Sequence, residues 1–245
     1  GVGGQEIGQG TFTVAAQMAA AALGVPVDWV RIAGPVDTQY SPYEWQTVAS
    51  RLTWSMGNAI TAAARDARQQ IIDLVAQIWH EDPKDLNIVN GHVISYKSEE
   101  SLSLKDLAIY GLPKPGDTGW IGGPVVGRGS FMSTYVTGLD PETGQGERAV
   151  VHYTTGAEAV EVEVDLETGR VEVLRAAAAF DVGRAINPDS VRAQVEGGLV
   201  QGISTALFEE LKLVGGKVQN PSLVDYRVAT SADAPRKIDT LIVEV

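Results

Sequence analysis

Cysteine is absent from the 245-residue chain. Its absence removes disulfides, thiolate nucleophiles, zinc–thiolate sites and cysteine-held iron–sulfur clusters together. Any redox chemistry must therefore use a borrowed centre. Histidine is scarce too: His80, His92 and His152 lie far apart and form no ligand pair at metal-binding spacing, so a metal held by protein side chains is not expected. Positive charge is also in short supply. Nineteen Lys and Arg stand against 31 Asp and Glu, a formal net charge of -12, the wrong sign for tracking a phosphate backbone. Nucleic acid is not an expected partner. No run approaches the roughly 18 consecutive apolar residues of a membrane span, so no membrane partner is expected either. Gly1, not Met, comes first, and no basic region, apolar stretch and cleavage site precede the fold. The chain is expected to be a piece of a longer polypeptide.

What is present is enough apolar residue, 44%, for one large core or two small ones. GVGGQEIGQGT is a glycine-dense loop in which Thr11 or Thr13 is placed to cap a helix over FTVAAQMAAAALG, stopped by Gly24 and Pro26. WVRIAG reads as a short strand, PVDTQYSPYEWQTVASR as an irregular segment, and roughly Arg51 to His80 as a second helix with Gly57-Asn58 as an irregularity. Asn90-Gly91 between alternating runs predicts a hairpin, and SLKDLAIYG a short helix. Residues 111 to 130 and LDPETGQGERAV read as loops at the surface or at contacts. AEAVEVEVD, LETG and RVEVLRAAAAFD form the clearest strand pair, Val160, Val162 and Val164 alternating with Glu161 and Glu163, which predicts one buried and one wet face. A third helix is expected from Ser190 through VRAQVEGGLVQGISTALFEEL, then a Gly215-Gly216 turn and a last strand IDTLIVEV. With no fixed-period repeat, the expected fold class is α+β, two mixed subdomains with a boundary near residues 111–150.

Several stretches offer chemistry. The glycines of GVGGQEIGQG have no strand before them and no Walker lysine after them, so a standard dinucleotide or P-loop site fails on context. The loop does present backbone N–H groups at a helix N-terminus, which suit an anion, with Gln9 able to donate and accept; a plain tight turn is the alternative. TVASR at 47–51 is a second such place, with Ser50 as either ligand contact or N-cap. In DVGRAINPDSVRAQVEGG, Gln194 and Glu196 precede Gly197-Gly198, which permit close approach of a ligand or another backbone. The glutamates at 158 to 163 and Glu209-Glu210 read as solvated faces. No nucleophile elbow and no Ser, His and acid set is found.

Taken in order, GGQEIGQGT, LGVPVDWV, DT at 37 and 38, TVASR, GNAITAAA, VEVDLETGRVEV, DVGRAINP and AQVEGGLVQGISTALFEE resemble the molybdenum hydroxylase family of xanthine dehydrogenases and aldehyde oxidases. More narrowly, Gly1 to about Pro235 resemble the second cofactor-binding portion of its large, molybdenum-binding subunit. The resemblance implies a molybdenum ion held by the dithiolene of a pyranopterin, molybdopterin or its cytosine dinucleotide, with no protein ligand to the metal. By the match of motifs, Gly8, Gln9 and Gly10 would lie near the metal and pterin, Ala49, Ser50 and Arg51 would contact the pterin or its phosphate, and Gln194 would be another cofactor contact. Arg51-Leu52 stand where eukaryotic members tend to have small residues.

Family enzymes hydroxylate an aldehyde or an electron-poor heterocyclic carbon with oxygen from water, passing electrons to iron–sulfur and flavin centres. The resemblance places those centres, iron–sulfur and FAD, on other domains or subunits, and the general-base glutamate in a segment beyond Val245. The implied partners are the remaining part of the molybdenum subunit, the iron–sulfur and FAD subunits or domains, and a small-molecule substrate. The isolated chain is expected to be inactive, and the location cytoplasmic. Two rivals are a split interaction subunit of such a complex and a generic anion-binding α+β protein.

Overall fold

Helix α1 (Thr11–Leu23) forms over the alanine-rich run, where Ala costs least to place in a helix, and ends at Gly24. Gly24 takes φ +86, and a Cβ there would sit 2.2 Å from the carbonyl oxygen of Ile88. Only glycine satisfies both the left-handed stop and that close approach. The computed structural model describes residues 1–113, 116, 118–122 and 124–244. Within them the chain divides into two units, Gly1–Ala149 and Val150–Val245.

In the first unit no strand forms over the expected WVRIAG, residues 29–34; a three-residue 3-10 turn, Val27–Trp29, precedes it and shares only Trp29. The turn sits against the β-hairpin instead, with Gly91 tight over the Trp29 ring. Helix α2 (Leu52–Trp79) is unbroken through Gly57-Asn58, and Gly57 makes room for Met18 of α1, which packs where a Gly57 Cβ would project. Its apolar residues recur at helical spacing and feed two cores. Near its start, Leu52 and Met56 pack with Val2 and Ala15. Near its end, Ile71, Ile72, Val75 and Ala76 pack against Leu86, Ile88, Val93 and Leu107.

Strands β1 (Leu86–Val89), β2 (His92–Ser95) and β3 (Ser101–Ser103) form an antiparallel sheet turned at Asn90-Gly91, both with positive φ, as the Asn-Gly signal predicts. Helix α3 (Leu104–Tyr110) follows, then the two-stranded β4 (Leu112–Pro113) and β5 (Trp120–Ile121). Residues 114, 115, 117 and 123, within the loop expected over 111–130, lie outside the described residues. Beyond them the chain runs along α2. Cβ atoms at Gly127 and Gly129 would lie 2.1 and 2.3 Å from the Ala63 and Ala59 carbonyl oxygens. The alanine stripe of GNAITAAA thus leaves room for a neighbouring backbone, which Gln70 and Asp66 hold through Val126 O and Arg128 N.

In the second unit β6 (Thr155–Val164) pairs antiparallel with β7 (Val171–Asp181), which pairs parallel with β10 (Lys237–Val243). Parallel pairing requires a crossover, and α4 (Pro188–Leu207) supplies it. The short hairpin β8 (Leu213–Val214) and β9 (Lys217–Val218) turns at Gly215-Gly216. Helix α4 lays Leu199 and Ile203 on Ala176 and Ala178 of β7. It ends at Leu207, short of the expected Leu211, because Phe208 leaves helical geometry. It does not cover β6, every residue of which is exposed. Val160, Val162 and Val164 remain 48%, 49% and 47% exposed, so the expectation of a buried valine face on this strand is not met within the chain. Val245, the last residue of the expected final strand, lies outside the described residues.

All five tryptophans lie in the first unit, so their fluorescence reports that unit. Ile72→Ala, at a position 6% exposed, should lower its stability by about 2–5 kcal/mol in urea denaturation. Val89→Ala, at 46% exposure in the same unit, should stay within about 0.5 kcal/mol. Equal effects would mean that the hydrophobic cluster around Ile72 is misassigned.

Candidate functional site

The glycine-dense N-terminal loop folds around one carboxylate. Oε1 of Glu6 accepts from the backbone N–H groups of Gly8 and Gly10 at 2.9 and 3.0 Å, and Oε2 accepts from that of Phe12 at 3.0 Å. Neither Thr11 nor Thr13 caps α1. The N-cap position is Gly10, left-handed at φ 86, and the capping acceptor comes from four residues upstream. Three of the N–H groups expected to await an anion here, those of Gly8, Gly10 and Phe12, are therefore already satisfied by the chain. An acid at the positive end of a helix is a favourable match. Burial pushes the Glu6 carboxyl up, but the backbone bonds from Phe12, Gly10, Gly8 and Gln9 outweigh it and hold its pKa below the usual glutamate value.

Gln9 is folded back into the same loop. Its Nε2 donates to Gln5 O at 3.1 Å and to Thr11 Oγ1 at 2.6 Å, while Oε1 accepts from Ile7 N at 2.8 Å. Both amide hydrogens are used, and one Oε1 lone pair remains available. At Gly8, φ is +106 and a Cβ would meet nothing within 4 Å, so this side of the turn is open.

The TVASR loop lies beside it. Gln5 N donates to Thr47 Oγ1 at 2.9 Å, and a Cβ on Gly3 would sit 2.1 Å from Pro42 O, so the two loops share a seam that admits no side chain at Gly3. Ala49 and Ser50 both occupy the left-handed region, at φ 55 and 50. Two consecutive residues other than glycine in that region cost on the order of 1–3 kcal/mol each, a kind of strain that clusters at ligand-binding sites. Ser50 is not the N-cap of α2; Arg51 holds that position without a side-chain cap. The backbone N–H groups of Ala49 and Ser50 meet no acceptor among the described residues, and both residues are exposed. Arg51 turns back onto its own loop, with its guanidinium on the Glu44 carboxylate and 2.9 Å from Gln46 O. Thus the structure brings Gly8, Gln9 and Gly10 into one unit with Ala49, Ser50 and Arg51.

Gln194 belongs to the second unit. It lies on the exposed face of α4, beside Gly197 and Gly198, where added Cβ atoms would meet nothing within 4 Å. That leaves an uncovered helix face of backbone and the carboxamides of Gln194 and, two turns on, Gln201. Its helix begins at Asn187, whose Oδ1 accepts from Ser190 N at 2.9 Å, with Pro188 in the first turn, as Asn-Pro at a helix start allows. Glu209, expected on a solvated face, is instead partly buried. Its carboxylate accepts from Ser204 Oγ at 2.6 Å and Tyr226 OH at 2.7 Å, bonds that lower its pKa and raise that of Tyr226. The alternation of apolar and charged residues could not show that the chain after β9 folds back to the end of α4. Glu6 and Thr47, which build the loop pair, were also missed. An acid inside a glycine turn just before a helix was the available signal for Glu6.

Among the described residues, no three His, Asp or Glu side chains are grouped to hold a metal ion, and no helix is long and apolar enough to cross a membrane. The glycine-rich and strained loops of this α+β chain thus present neutral hydrogen-bonding groups rather than grouped metal ligands. Residues 1–235 match the model of the molybdopterin cofactor-binding domain, and the chain belongs to that family. It is 32% identical to the xanthine dehydrogenase molybdenum-binding subunit of Escherichia coli O157:H7 over 247 residues, covering 99% of this chain and 30% of that subunit. Among solved structures it resembles the Cu,Mo-CO dehydrogenase, with TM-score 0.75, 25% identity, and 99% of this chain on 28% of that one. Quinoline 2-oxidoreductase from Pseudomonas putida 86 gives TM-score 0.73 at 26% identity, with 99% and 29% covered. The chain thus spans 30% of the length of that curated relative and less than a third of the others it matches.

Because the folded state lowers the Glu6 pKa, its contribution to stability is complete above the unfolded value of about 4.3 and is lost as pH falls through the lower folded value. Glu6→Gln should therefore melt below wild type at neutral pH, with a gap that narrows on acidification below about pH 4. Thermal melts across pH 3 to 7 check this. A gap independent of pH would show that the carboxylate charge contributes nothing.

Proposed function

We propose that this chain forms part of the protein wall around a molybdenum–pyranopterin cofactor, in an enzyme that hydroxylates an aldehyde or an N-heterocyclic carbon with oxygen from water. The supporting observation is the loop pair: an open turn at Gly8 beside the strained Ala49-Ser50, whose N–H groups are exposed and without acceptors. Neutral donors and close backbone suit a planar, oxygen- and nitrogen-rich cofactor that brings its own metal ligands. When bound, that cofactor supplies the metal and the two-electron redox chemistry.

The residues of the chain then bind and orient. Ala49 and Ser50 donate to pterin or phosphate oxygens, and Gly8 and Gly10 admit close approach. Gln9 offers its open lone pair to a cofactor N–H or O–H. Arg51, already anchored by Glu44, adds a fixed positive charge to that loop. Gln194 gives a carboxamide contact on the glycine face of α4, with the cytosine dinucleotide form as a further candidate occupant. On the same reading, catalysis requires the remaining part of the molybdenum subunit and iron–sulfur and FAD centres on other domains or subunits, in the cytoplasm. The half-exposed valines of β6 favour burial of that face against the rest of the subunit.

The test is cofactor content of the enzyme that contains this chain. Gln9→Ala, Ser50→Pro and Gln194→Ala should each lower bound molybdenum and released pterin at least severalfold. Gln69→Ala, an exposed change in α2, should not. Full cofactor content in all three site variants would remove the proposal.

A further inference from the structure

Glu6 makes three backbone hydrogen bonds inside a loop whose neighbour in sequence, Gln9, makes three more. The two sets interlock. Glu6 fixes the N–H groups of Gly8 and Gly10, which flank Gln9, and of Phe12, just past Thr11; Gln9 in turn reaches Thr11 Oγ1, Gln5 O and Ile7 N. The glycines give the turn no stiffness of their own, with Gly8 at φ +106 and Gly10 at φ +86. Without a central acceptor, four or five residues would explore many conformations, and the carboxamide would have no fixed direction. A glutamate satisfies the three N–H groups because it is acceptor-only and has two oxygens. A glutamine in its place keeps the shape but turns an N–H₂ toward one of those donors.

We infer that Glu6 is a positioning residue for the cofactor: by gathering the Gly8, Gly10 and Phe12 N–H groups, its carboxylate sets the turn that aims the Gln9 carboxamide. Glu6 itself needs no contact with the cofactor. The inference rests on the proposed role of Gln9 as a cofactor contact. It extends that role from the residue that touches to the residue that aims it.

The first test uses the 245-residue chain. The side-chain amide protons of Gln9, followed by nuclear magnetic resonance with ¹⁵N-labelled glutamine, should exchange at least tenfold more slowly than those of an exposed glutamine. In Glu6→Gln they should lose that protection and move to solvent-like shifts. Ile88→Val, a core change expected to lower stability without touching the loop, should leave them in place. Glu6→Asp, which keeps the charge but shortens the reach, gives the same readout where Glu6→Gln does not fold. The second test measures cofactor content in the enzyme containing the chain, comparing Glu6→Gln with Gln9→Ala. Loss of Gln9 protection together with at least fivefold less molybdenum and pterin in both variants supports the inference. Unchanged Gln9 signals in Glu6→Gln, or an equal change in Ile88→Val, overturns it. Cofactor loss in Gln9→Ala but not in Glu6→Gln overturns the aiming role and leaves the Gln9 contact standing. Full cofactor in Gln9→Ala overturns that contact, and the inference with it.

Discussion

The carboxylate of Glu6, caught between the N–H groups of Gly8, Gly10 and Phe12, holds the N-terminal loop to the start of α1. A glycine-dense loop has the most conformational entropy to lose and the least side chain with which to offset that loss. One acceptor-only group answers three donors at once and also meets the positive end of the helix dipole. From that anchor the rest of the candidate site follows. Gln5 is free to donate to Thr47, the TVASR loop is drawn alongside, and Leu52 and Met56 close a small core beneath with Val2 and Ala15.

On the proposed reading, the two loops divide the labour of a binding surface. The first has both Gln9 amide hydrogens bonded internally, keeps one Oε1 lone pair open and presents a fixed shape. The second leaves backbone donors without acceptors and carries strain at Ala49 and Ser50, so a ligand there would meet preorganised N–H groups. In the second unit, α4 offers exposed backbone at Gly197 and Gly198 beside Gln194. None of these residues is a strong metal ligand. The chemistry fits a cofactor held by many neutral contacts, with its electronics set by its own atoms.

Much of the fold could be read from short-range rules. The Asn90-Gly91 turn, the alanine-rich first helix and the 3.6-residue periodicity of α2 each state a local preference that packing then respects, and the alternation along β6 and β7 marks both as strands. Failures came where partners distant in sequence decide. WVRIAG has strand-forming residues, but among the described residues no strand pairs with it, and the chain just before it settles as the 3-10 turn Val27–Trp29 against the hairpin. Val160, Val162 and Val164 alternate like a core face, yet α4 covers β7 and leaves them half exposed. At the candidate site, the glycines and Gln9 stood out in sequence, whereas the occupant of the α1 N-terminus did not. Whether a helix end awaits a ligand or is already capped depends on a side chain reaching forward six residues, from Glu6 to Phe12.

The most direct measurement is a crystal structure of the cofactor-loaded enzyme that contains this chain. The account predicts cofactor oxygens within about 2.7–3.2 Å of the Ala49 and Ser50 N–H groups, with Glu6 still on the Gly8, Gly10 and Phe12 N–H groups. A cofactor seated elsewhere, with the turn at Gly8 and the Ala49-Ser50 backbone facing only protein or solvent, would contradict it.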